Sequence, residues 1–149
     1  MTRDLDAHLD ELQEKIYEQT LAAFGPEVYK RWKDPKYMGR MENCHSMSRL
    51  TGSCGDSVEV YLRFEQNRVC EASFFSDGCG PSVVAGSVAC ELALGRDVEN
   101  AVSVTGEEIL AFLNGLPEDK EHCAFLAAQA LQEAVHNYMS QNQKLQPHK

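Results

Sequence analysis

The chain has 149 residues, 43% of them apolar and 25% charged, which fits one compact domain with a core of its own and leaves little room for a second. Fourteen Lys and Arg against 23 Asp and Glu leave a formal charge of −9, a field that repels phosphate backbones and anionic lipid. No run approaches the roughly 18 apolar residues that cross a bilayer, and the acidic, amphipathic N-terminus does not read as an export signal. Neither nucleic acid nor membrane is therefore an expected partner, and the cytoplasm is the expected compartment.

In chain order, Leu5, Leu9, Leu12, Ile16 and Leu21 recur at near three- and four-residue steps. They line one face of a first helix, with Asp, Glu, Gln and Lys opposite. Phe24-Gly25-Pro26 breaks it. A short helix is expected over 27–33, ended by Asp34-Pro35, with irregular chain over 36–40. The period then changes, because Val58, Val60, Leu62 and Phe64 alternate with Ser57, Glu59, Tyr61 and Arg63. After Glu65-Gln66-Asn67 a second run follows with Val69, Ala72, Phe74 and Phe75, which makes a hairpin, and a third strand is expected near 47–51.

From Gly80 onward the pattern is helical. Pro81 suits a first helical position and Gly95 a stop, while Ser82, Ala85, Gly86, Ser87 and Ala89 are small enough to require close packing. Residues 97–102 read as a short helical turn, and Thr105-Gly106-Glu107-Glu108 spells a capping box ahead of a helix over 109–114. The last helix is expected over 121–139, with Leu126, Ala130, Val135, Tyr138 and Met139 toward the core. The fold class is α+β: a small three-stranded antiparallel sheet packed by helices on one side, with an extra N-terminal amphipathic helix. The expected divisions are a helical extension over 1–25, the domain over 26–140 and a polar tail over 141–149.

Six cysteines are too few for a disulfide-stapled scaffold of this length, so reduced thiols are the default. Three sit where the backbone changes element. Cys54 lies in Gly52-Ser53-Cys54-Gly55-Asp56, Cys79 in Asp77-Gly78-Cys79-Gly80-Pro81, and Cys123 in Glu121-His122-Cys123. Glycines keep neighbouring side chains away from Cys54 and Cys79, and a helix start favours the thiolate at Cys79 and Cys123. Converging thiolates suit a soft or borderline metal, and Asp56 and His122 add an oxygen and a nitrogen ligand. With no CxxC pair the spacing is not a zinc-ribbon or thioredoxin signature, and three loop cysteines that never meet remain the plainer alternative. Cys70 and Cys90 read as ordinary packing, and Cys44 beside His45 as structural rather than as a ligand or reactive thiol. His8, His136 and His148 read as solvated, and Trp32, Tyr37 and Met38 as core or interface.

Asp34-Pro35-Lys36-Tyr37-Met38-Gly39, the loops around Cys54 and Cys79, and Leu116-Pro117-Glu118-Asp119-Lys120-Glu121-His122-Cys123 together resemble the IscU/NifU-type iron–sulfur cluster assembly scaffolds. The segments follow in order at fitting distances, with cysteine separations of 25 and 44 residues, and the resemblance covers about residues 28–138. It implies a three-stranded antiparallel sheet packed by helices and a site made of Cys54, Asp56, Cys79, His122 and Cys123. There, sulfur from a cysteine desulfurase and iron are assembled into a 2Fe-2S cluster and passed to apoproteins; zinc can occupy the same ligands. It implies a scaffold and not an enzyme, with Cys123 accepting persulfide sulfur and Asp56 keeping the cluster exchangeable. One hard carboxylate oxygen in place of a fourth thiolate loosens the hold on iron.

Glu118-Asp119 replace the Pro-Val that family members served by a dedicated chaperone pair carry before Lys, so that interaction is not implied. The chain ends soon after its last helix, so the further domains of the longer NifU proteins are not expected. The N-terminal extension either covers the domain or mediates self-association into a homo-oligomer. The alternative function is a zinc-dependent SufU-like sulfurtransferase that relays persulfide; His122 and the 44-residue separation, with no room for that branch's insertion, favour the scaffold.

Overall fold

The computed structural model of the chain describes residues 25–53, 55–78 and 80–145, with side chains as far as 141, together with eight positions between 8 and 19, all helical. Helix α1 spans Pro26–Lys33, strands β1, β2 and β3 span Ser46–Thr51, Ser57–Glu65 and Arg68–Ser76, and helix α2 spans Gly80–Ala93. Helices α3 (Val98–Ala101) and α4 (Gly106–Phe112) follow, and a single 3-10 turn at Glu118–Lys120 leads into the long α5 (Glu121–Leu145). The strands form one antiparallel sheet in the order β1-β2-β3.

The alternation read in β2 decides the layers. Val58, Val60, Leu62 and Phe64 are buried and, with Phe74 of β3, face α2 and α5. Helix α5 lies across β1 and β2, α2 across β3, and the two helices pack on each other. Small residues permit this: a Cβ built on Gly86 would stand 2.5 Å from the ring of Phe74, which is fully buried. Ala124, Ala127, Ala128, Ala130 and Ala134 give α5 a similarly flat inner face. The buried Ser48 hydroxyl of β1 donates to the Ala130 carbonyl of α5 at 2.5 Å, fastening sheet to helix.

The free side of β3 is partly occupied by chain from elsewhere. Phe74 donates its N–H to the Tyr37 carbonyl (2.9 Å) and accepts from Gly39 N–H (2.7 Å), while Val69 pairs with Gly95 and Arg96 at 2.9 Å in each direction. Between these contacts the β2–β3 register shifts and Cys70 has no cross-strand partner. Cys70 is therefore exposed, contrary to the packing expected of it, because a bulge turns its backbone out of the alternation.

Most element bounds follow the sequence reading within a residue or two. Helix α4 begins at Gly106, three residues before the expected start, because Thr105 is itself the N-cap and accepts from Glu108 N–H at 3.2 Å. Helix α5 runs on to Leu145, since no Gly or Pro interrupts Ser140 to Leu145, so the first part of the expected tail is helical. In the N-terminal extension Leu9 and Leu12 are helical and 53% and 42% exposed. Leu5, Ile16, Leu21 and Phe24 lie outside the described residues. Among the described residues no helix is long and apolar enough to cross a membrane.

On the outer face of the sheet Glu59 accepts from the Tyr61 hydroxyl and, at 3.3 Å from both carboxylate oxygens, from Arg40, whose guanidinium also stacks over Phe75 at 4.2 Å. The Arg40 hydrogen bond, then that of Tyr61, holds the Glu59 carboxyl below its ordinary value against the opposing effect of burial. A carboxyl depressed on folding stabilises above its unfolded pKa and loses that contribution as pH falls through the folded value. Arg40→Met should therefore be less stable than the parent at neutral pH, with the gap in urea denaturation closing in acid. A gap that stays constant with pH would assign the effect to packing on Phe75 alone. Gly86→Ala should cost about 1–3 kcal/mol through overpacking against Phe74, read from the same denaturation curves.

Candidate metal-ligand site

Two loops and one helix start meet beyond the ends of the sheet. The loop before β2 is a tight turn in which Gly52 N–H donates to the Asp56 carbonyl at 2.8 Å and Gly55 N–H to the Gly52 carbonyl at 3.0 Å. The loop after β3 is tied to it: the Asp77 carboxylate accepts from Ser57 N–H at 3.0 Å, and the Ser76 hydroxyl donates to the Ser57 carbonyl at 3.0 Å. Gly78 then passes so near that an added Cβ would lie 2.7 Å from Asp56 Cγ. Only glycine leaves room there for the carboxylate. On the other side of Cys79, Gly80 is covered by the Trp32 ring, in keeping with a packing role for that residue.

Asp56, so placed, accepts a hydrogen bond from the Ser82 hydroxyl at its Oδ2, 3.1 Å away. Ser82 stands in the first turn of α2, is 1% exposed, and also lies 3.4 Å from Cys123 Sγ. Cys123, in the first turn of α5, is in turn 3.7 Å from His122 Nε2. Four side chains from three elements thus form a continuous series, Asp56–Ser82–Cys123–His122. Three of them are expected ligands. The remaining two, Cys54 and Cys79, lie outside the described residues, although their chain neighbours Ser53, Gly55, Gly78 and Gly80 do not. Among the described residues no three His, Cys, Asp or Glu side chains are close enough to hold a metal ion by themselves.

The two expected α5 ligands differ in access. His122 is exposed, but Cys123 is 1% exposed and belongs to the core cluster, because it points from α5 toward α2 rather than outward. Beside it a shallow cleft of about 200 Å³ is lined by Gly52, Ser53, His122, Phe125, Leu126 and Gln129, joining the Cys54 loop to the exposed side of α5.

Of the other sulfur and imidazole groups, Cys90 is buried as expected, and burial pushes its thiol far above the ordinary range. His45 has a structural part, its Nδ1 accepting from Phe64 N–H at 2.9 Å and its backbone N–H donating to the Leu62 carbonyl at 2.8 Å. Cys44 is half-buried, His8 and His136 are exposed, and His148 is outside the described residues. Ser82 is the residue that the sequence reading passed over as one of several small packing residues. Its signal was a hydroxyl three positions after Cys79 on an otherwise apolar helix face.

The chain matches the NifU-like N terminal domain family over residues 23–145. It is 30% identical over 123 residues to the iron-sulfur cluster assembly scaffold protein IscU 1 of Archaeoglobus fulgidus, covering 82% of this chain and 80% of that one. It is also 30% identical over 118 residues to the nitrogen fixation protein NifU of Azotobacter chroococcum, across 77% of this chain and 38% of the longer relative. Among solved structures, a putative iron-sulfur cluster assembly scaffold protein for the SUF system from Fervidobacterium islandicum has the same fold. It superposes with a TM-score of 0.65 at 21% identity, over 78% of this chain and 98% of the other. With the family matched across most of its length and the expected sheet and helices in place, the chain belongs to the NifU-like N-terminal domain family.

Proposed function

We propose that this protein is a scaffold on which iron and sulfur are assembled into a labile cluster and from which the cluster passes to apoproteins. The observation that carries the reading is the approach of Asp56 and Cys123, 67 positions apart in the chain, through one buried hydroxyl. The loops on either side of Cys54 and Cys79 are tied to the same place. Membership of the family supports it.

In this reading Cys54, Asp56, Cys79, His122 and Cys123 are the ligand set, and the cargo is a 2Fe-2S cluster, with zinc able to take the same donors. Five donors exceed the four that a tetrahedral metal needs, so one ligand can leave while another replaces it. Asp56 is the hard, weakly held one. A cysteine desulfurase is the sulfur donor: the Cys123 thiolate attacks the outer sulfur of the donor's persulfide, a new S–S bond forms at Cys123, and the donor leaves as its own thiolate. Since Cys123 is buried, this step requires that the sulfur be uncovered first. The protein's part is binding, holding and release rather than catalytic turnover.

Anaerobic reconstitution with iron, sulfide and a desulfurase, followed by transfer to an apo-ferredoxin, tests the function. A visible cluster that moves to the acceptor is expected; persulfide relay with no cluster at any stage would instead support the sulfurtransferase. Asp56→Ala should keep its cluster longer and transfer it more slowly, and faster loss than in the parent would contradict the role given to Asp56. Cys123→Ser should lose sulfur uptake, whereas Cys70→Ser and Cys90→Ser should assemble cluster as the parent does. In the resting protein, alkylation followed by mass spectrometry should modify Cys70 well before Cys123 or Cys90, following their exposure. Equal rates for Cys70 and Cys123 would show that the buried sulfur is reached without rearrangement.

A further inference from the structure

We propose that Ser82 is a positioning residue for the ligand set, its hydroxyl fixing the spacing and orientation of Asp56 and Cys123. The inference rests on the proposed function and adds to it a residue that is not itself a ligand. Ser82 is carried by the first turn of α2, so its short side chain has little freedom to swing, and it is almost wholly enclosed. Its oxygen is 3.1 Å from Asp56 Oδ2 and 3.4 Å from Cys123 Sγ. A hydroxyl has one proton to give, and here two acceptors on two other elements compete for it.

Packing alone does not call for a hydroxyl at this point. The neighbours Val84, Ala85, Val88 and Ala89 meet the core as hydrocarbon, and alanine is both smaller in its demands and the better helix former. Burying an oxygen is costly unless it is hydrogen-bonded, and among the described residues this hydroxyl's bonds lead to two of the expected ligands. Partners that stand behind metal ligands act through orientation, and losing one commonly weakens metal binding by about 10–100-fold.

The test uses Co(II) alone as the probe, added anaerobically to the intact chain, with sulfur-to-cobalt absorption and the rate of release to a chelator as readouts. Ser82→Ala should release Co(II) about tenfold faster than the parent and shift the absorption band, with its unfolding midpoint near that of the parent. In an Asp56→Ala background the same substitution should change release by about threefold or less, because one of the two ligands it orients is gone. An unchanged release rate and spectrum in Ser82→Ala, while Cys123→Ser loses binding, would overturn the positioning role and leave the ligand set standing. An undiminished effect in the Asp56→Ala background would assign Ser82 to structure and likewise overturn it. A parent chain that binds no Co(II) would overturn the ligand set and this inference together.

Discussion

The approach of α2 to the sheet at Gly86 and Phe74 is the constraint on which the site depends. At that distance the helix has no choice of height or rotation, so its first turn, with Ser82, is delivered to one point above the strand ends. Helix α5 is fixed against both α2 and the sheet by its row of alanines and by the bond from Ser48 to Ala130. The N-terminus of α5 therefore arrives beside that of α2. The glycine-rich loops can be short and specialised because the scaffold beneath them is stiff.

Much of this was legible in the chain. Alternation across 57–64 identified the central strand and the face that meets the helices, although Ser57, Glu59 and Tyr61 on its other face are buried too, and Pro81 and Gly95 bracketed α2. The polar groups beside the loop-end cysteines stood out by their type and order. Other features depend on relations between distant segments and leave no local mark. The bulge at Cys70 is a matter of register between two strands, so a residue in a strand-like run reads as packed when it is not. The burial of Cys123 and the role of Ser82 are set by how two helices face each other, 41 residues apart. A serine among alanines and glycines announces small size, and only its neighbours in space disclose a polar purpose.

A holding site for a reactive cargo faces opposite requirements. Sulfur and iron must enter and leave, yet a sulfur that accepts them is open to oxidation when it is exposed. The chain answers by placing Cys123 inside the core cluster with an exposed imidazole next to it and a carboxylate within reach through one hydroxyl. In the proposed function, entry therefore requires a local rearrangement.

The strip from Tyr37 to Gly39 that pairs with Phe74 has a consequence away from this chemistry. An outer strand with bare amides is a template for unwanted joining of one molecule to the next, the first step toward fibrils. Here the strip and the Gly95-Arg96 turn plug that border at two points, and Cys70 kinks the stretch between them. A foreign chain finds no straight length of β3 on which to zip, so this border of the sheet is guarded by the protein's own backbone.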